Sequence, residues 1–150
     1  MKGFVFRLER LLQLRSRAES ERAQALGQAM REEDAQRQVL EEASERLGRC
    51  GDQIAGVLDS VAPAGALTNL GLAIEAAMRQ VDSAELSHQA ALDQTQLERE
   101  LFGQARVERR VVERLRQKRH AAWTEEAARA EQSEQDSIAR SRRGASGRSK

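Results

Sequence analysis

Apolar residues recur in steps of three and four along nearly the whole chain, and the pattern is interrupted once. The first half carries Phe4, Leu8 and Leu11, then Ala18, Ala25 and Ala29 with Arg15 and Arg22 between them. It continues through Leu40, Ala43, Leu47, Cys50, Ile54, Val57 and Val61. The second half starts Leu70, Ile74, Ala77, Val81, Ala84 and returns at Phe102, Ala105, Val112 and Leu115. That spacing keeps one face of a helix apolar. It predicts one helix over about 4–61 and a second over about 69–140. Four-residue steps at Ala25, Ala29 and Glu33 join two registers in the first helix and predict a stutter there.

The interruption is Pro63, the only proline in 150 residues. Proline lacks the backbone N–H and pushes the preceding residue, here Ala62, away from helical geometry. Gly65 is a permissive residue for the reversal, and Thr68 or Asn69 can cap the second helix. The predicted fold is all-α: two long helices forming an antiparallel coiled-coil hairpin with its turn near residues 62–68. Folding the chain about residue 64 sets Leu58 against Leu70, Ile54 against Ile74, Leu47 against Val81, Leu26 against Phe102 and Val5 against Trp123. Most such pairs are apolar on both sides, as a seam requires. The same fold gathers Phe4, Phe6, Leu8, Leu11 and Leu12 with Val111, Val112, Leu115 and Trp123. Residues 1–140 are read as the hairpin, with the second helix running unpaired past about residue 126. Residues 141–150, whose only charges are basic, are read as a disordered tail.

Composition supports a long-helix protein. Charged residues make up 33% of the chain and aromatic ones only 3%, too few for an ordinary globular core. The net charge of +1 hides a polarity. Residues 62–105 hold two basic and six acidic side chains, whereas residues 106–150 hold 13 basic and seven acidic. The first 22 residues are also basic, so a hairpin gathers positive charge where the termini meet and leaves its turn more acidic. Gly48, Gly51, Gly56, Gly65 and Gly71 cluster around the turn. They make that end locally weaker, or else they serve close approach of the helices.

Several chemistries lack the residues they need. There is no phosphate loop with a Lys-Ser/Thr ending. His88 and His120 are distant in sequence, and with the single Cys50 they form no metal-ligand spacing. No cofactor, metal or catalytic site is expected, and His88 reads as a polar residue tolerated in the seam. The longest uncharged run, residues 60–74, contains Pro63 and is too short to span a bilayer. The start MKGFVF meets Arg7 at once and does not read as a secretory signal. A soluble, cytoplasmic protein is therefore expected. The stretch GFVFRLERLLQLRSR is apolar on one face and basic on the other, which suits an anionic membrane surface or packing on Leu115 and Trp123. The basic tail lacks the aromatic residues and motifs of nucleic-acid binders, so no nucleic-acid partner is expected.

The C-terminal block carries a recognisable arrangement: Leu115, Lys118 and Arg119, then Trp123, Glu131 with Gln132, and Asp136 with Ile138 and Ala139. The opening FVFRLERLLQLR contributes Phe4, Phe6, Leu8, Leu11, Leu12 and Arg15. Together these resemble the two ends of the FliJ family of flagellar export proteins, while residues 24–100 match no motif. The resemblance implies a non-catalytic stalk and escort protein, similar to the central stalk of rotary ATPases. It implies binding and stimulation of the export ATPase FliI, contact with the export-gate protein FlhA, and exchange with export chaperones. It implies a cytoplasmic protein held peripherally at the inner membrane. By the same resemblance the paired ends meet the ATPase, with Phe4, Leu8, Leu11, Leu12, Leu115 and Trp123 as the expected contacts. Readings from other directions are the stalk of a virulence secretion system, a peripheral membrane-binding coiled coil, and a scaffolding dimer.

Overall fold

The computed structural model describes residues 3–58 and 63–146, and for residues 58, 64 and 141–146 it describes the backbone alone. Two helices account for nearly all of it: α1, Glu9–Leu58, and α2, Ala64–Ser146. They pack against each other as an antiparallel all-α hairpin, and no strand occurs among the described residues.

The helix ends differ from the sequence reading in three places, each for a local reason. Residues 3–6 are not helical. The Glu9 amide donates to the Phe6 carbonyl at 3.1 Å and the Leu12 amide to the Leu8 carbonyl at 2.9 Å, so α1 winds up only after the aromatic residues. Glu9 then places its carboxylate in the first turn, where the helix dipole favours it. At the reversal, α2 already starts at Ala64, and the Pro63 carbonyl accepts from the Ala66 amide at 2.9 Å. A proline's fixed φ and missing donor suit the entry to a helix, so Pro63 opens α2 as well as breaking the pattern. Gly65, Thr68 and Asn69 therefore lie inside α2, and no described glycine has a positive φ. The expected turn residues Val61 and Ala62 lie outside the described residues. At the far end α2 continues to Ser146, so residues 141–146 of the expected tail are helical. Residues 147–150 lie outside the described residues.

The chain divides into a middle unit, Ser20–Gln104, and a terminal unit, Met1–Glu19 with Ala105–Lys150. In the middle unit, α1 turns inward at Leu26, Ala29, Glu33, Gln36, Leu40, Ala43, Leu47, Cys50, Ile54 and Val57. These steps alternate three and four without a break. The seam is carried by Leu26, beside half-buried Ala25 and Gly27, and needs no stutter. On α2 the seam runs with the same alternation from Leu70 to Phe102. Its most buried apolar members are small: Ala77, Ala84 and Ala91, one heptad apart, with Ala29 and Ala43 on α1. Larger side chains are only half covered, because a two-helix seam has no third layer to enclose them.

Polar residues interrupt this seam at Glu33, Gln36, His88, Thr95 and Glu98. Thr95 is the most buried side chain described, 1% exposed, and its hydroxyl has no hydrogen-bond partner. One turn on, Glu98 meets Arg22 across the seam at 3.7 Å and accepts a hydrogen bond from Gln94 at 3.2 Å. The expected neighbourhood of His88 and Leu40 is observed, since both line one shallow groove with Asp82, Glu85, Leu86 and Gln89.

Candidate functional site: an aromatic groove in the terminal unit

The terminal unit joins the first turns of α1 to the α2 segment that begins at Ala105. Its apolar seam is thin, with Leu12 on α1 and Ala105 and Val112 on α2. Arginine–carboxylate pairs take over where the apolar residues give out. Arg109 holds Glu19 across the seam and Glu113 one turn along its own helix, the latter at 2.6 Å. Arg15 pairs with Glu108, and Arg116 with Glu9 at 3.3 Å. The hydrogen bond to Glu19 raises the Arg109 pKa above its ordinary value, partly offset by desolvation and helped by the charges of both carboxylates. This guanidinium therefore keeps its charge at every pH a protein survives.

Beyond these pairs the non-helical N-terminal residues lie along α2. The Phe4 ring meets His120 edge-on at 5.0 Å between centroids and Trp123 at 6.0 Å. His120 and Trp123, three apart on one helical face, are themselves 6.0 Å apart. Tilted and edge-to-face contacts are the favoured aromatic geometries, each worth about 0.5–1.5 kcal/mol beyond area burial. An open groove of about 600 Å³ adjoins them, lined by Phe4, Val5, Phe6, Arg7, Leu8, Leu115, Arg119 and Trp123.

Four of the six expected contact residues thus come together: Phe4, Leu8, Leu115 and Trp123. Leu11 and Leu12 are half buried in the first turns of α1 and do not line the groove. Val5, expected opposite Trp123, is instead 82% exposed. With residues 3–6 out of helical geometry, neighbouring side chains no longer follow the helical register, and Phe4 takes the place of Val5. His120, read from sequence only as an isolated histidine, is the ring on which Phe4 sits. Its spacing of three from Trp123 was the available signal. Past Ala127 every residue up to Arg140 is exposed, as expected of the part of α2 that outruns α1.

A family model described as the flagellar FliJ protein matches residues 4–148, almost the whole chain. The chain belongs to the FliJ family. Comparison with curated proteins and with solved structures gives no match. As a FliJ-family protein it is a component of flagellar protein export, in a family of non-catalytic stalk and escort proteins. Among the described residues no group of three or more His, Cys, Asp or Glu is placed to hold a metal ion. No described helix is long and apolar enough to cross a membrane.

Proposed function

We propose that this FliJ-family protein acts as a central-stalk-like coiled coil whose terminal unit binds and stimulates the flagellar export ATPase. The groove of Phe4, Leu8, Leu115 and Trp123 is the contact. The observation that carries this reading is the placement of the chain's only tryptophan. In a molecule whose deepest burial is mostly alanine, Trp123 and Phe4 are left half covered beside Leu115 and Leu8, which are 38% and 39% exposed. Large aromatic and aliphatic side chains at an open groove are what interface hot spots are made of. Leu11 and Leu12 support the groove from the first turns of α1.

In the same reading the protein links the ATPase to an FlhA-like export gate and to export chaperones. It works in the cytoplasm, held peripherally at the inner membrane through those partners. It needs no cofactor or metal and catalyses nothing itself.

The test is ATP hydrolysis by the cognate flagellar export ATPase with and without the full chain, beside Trp123→Ala and Leu115→Ala. Leu115 is already partly exposed, so its truncation perturbs the fold little and reports mainly on docking. Stimulation by the wild-type chain, reduced in both variants, is the expected result. Absence of both stimulation and co-purification would remove the ATPase role.

A further inference from the structure

In the terminal unit, α2 changes sign along its length. The stretch from Arg106 to Arg119 is mainly basic. From His120 to Ala139 the helix holds Glu125, Glu126, Glu131, Glu134 and Asp136 against a single arginine, Arg129. That arginine is paired with Glu125 one turn back, at 3.6 Å. Positive charge returns at Arg140 and continues in the C-terminal sequence. A basic block is thus followed by an acidic one of similar length. Arg106, Arg110, Arg114 and Lys118 in the first, and Glu126, Glu131 and Glu134 in the second, form no ion pair among the described residues.

The two blocks share one outward face. The side of α2 toward α1 is marked by Arg109, Val112 and Arg116. At 3.6 residues per turn, Val107, Val111, Arg114, Lys118, Ala121 and Glu125 fall roughly 180° away from it. Their steps alternate four and three, and Ala128 and Gln132 continue the series. Such spacing is what a second helix needs, and it is separate from the seam with α1. All of these residues are exposed, Val107 by 61% and Val111 by 62%.

The order of charges says what this face fits. An antiparallel helix of the same sequence, centred between Arg119 and His120, answers it position by position. Arg114 then stands opposite Glu125, Lys118 opposite Ala121, and Val111 opposite Ala128, with Arg110 level with Glu131 at the flank. Two-fold symmetry makes each contact twice. A parallel copy would set like charges together. A bilayer or any uniformly anionic surface would meet the basic block and be repelled by the acidic one.

We infer that the outward face of α2 over residues 107–132 docks a second copy of this chain, antiparallel, through Val111 and Ala128 and the charge pairs Arg114–Glu125 and Arg110–Glu131. The contact is one helix against one and lies at the small end of protein interfaces, so the dimer is reversible. Pairing of exposed charges is screened by salt, so the dimer weakens as ionic strength rises. Dimer formation needs no ATPase and stands or falls apart from the proposed function.

The test is sedimentation equilibrium of the full chain over a wide concentration range, between about 0.05 M and 0.3 M salt. It compares wild type with Arg110→Glu/Arg114→Glu, with Glu125→Arg/Glu131→Arg, and with the fourfold variant that carries all of these changes. Circular dichroism checks that each keeps its helix content. Each double reversal is expected to weaken self-association about tenfold or more, because it sets like charges opposite each other. The fourfold variant exchanges the two blocks and restores every pair, so its self-association should return to near the wild-type value. Wild-type association should also be tighter at low salt. A wild-type chain that stays monomeric throughout would overturn the inference, as would a dimer that neither reversal weakens. Loss in both double variants without recovery in the fourfold one would overturn the antiparallel pairing. A dimer that tightens as salt rises would show an apolar contact elsewhere and overturn the proposed face.

Discussion

Replacing Gly48, Gly51 and Gly56 together by alanine should stabilise the protein, although all three lie in the part of α1 nearest the turn. A glycine in a helix either makes room for a neighbour or leaves the backbone too free. Here the structure separates the two explanations. A Cβ built at any of the three positions meets nothing within 4 Å, and none of them has a positive φ. All three are exposed. The close-approach reading of these glycines is therefore not supported, and the helix-propensity term remains. It is about 0.8–1 kcal/mol per site, so about 2–3 kcal/mol for the triple variant if the sites add. For a chain of this size that corresponds to a rise in Tm of about 5–10 °C, provided the whole molecule melts as one unit. Thermal and urea unfolding followed by circular dichroism measure the gain. Hydrogen exchange locates it, with the amides of residues 44–58 expected to become more protected. A serine series at the same positions should fall between glycine and alanine, because its propensity does. A triple variant no more stable than wild type would refute the reasoning, and would mean that the glycines meet a neighbour or adopt another backbone state in solution.

Three further outcomes test other parts of the molecule. Phe4→Ala should red-shift the emission of Trp123, the single tryptophan, and cost about 1–2 kcal/mol, roughly half the penalty of truncating a fully buried phenylalanine; unchanged emission would mean that Phe4 does not sit on Trp123. Thr95→Val keeps the side-chain shape and removes a buried hydroxyl that has no partner, so urea unfolding should show a gain of about 1 kcal/mol; a loss would reveal a hydrogen bond at that hydroxyl. Ala43→Leu and Ala84→Leu enlarge two side chains that are each 6% exposed in the seam, and each should lower stability by about 1–3 kcal/mol in thermal unfolding; tolerance of both would show that the helices are not closely packed there.

What the sequence determined by itself was periodicity and the one break in it. Steps of three and four put Ala77, Ala84 and Ala91 on one face whatever surrounds them, and Pro63 stops a helix from its own covalent structure. Two long antiparallel helices result, as does the meeting of Phe4, Leu8 and Leu115 with Trp123, because every long-range contact in a hairpin is dictated by where it turns. Tertiary structure decided what depends on competition between alternatives of nearly equal energy. Pro63 could end one helix or open the next. It opens α2, and Glu19 meeting Arg109 keeps close to the register of a fold about residue 64. Residues 3–6 could extend α1 or lie along α2. The contact of Phe4 with His120 and Trp123 outweighs about one turn of marginal helix, and only the partner's surface could settle that. The identity of the free cations was likewise beyond the sequence. Composition shows that both ends are basic, but which arginines are spent on Glu9, Glu19 and Glu108 depends on which carboxylate comes within reach across the seam.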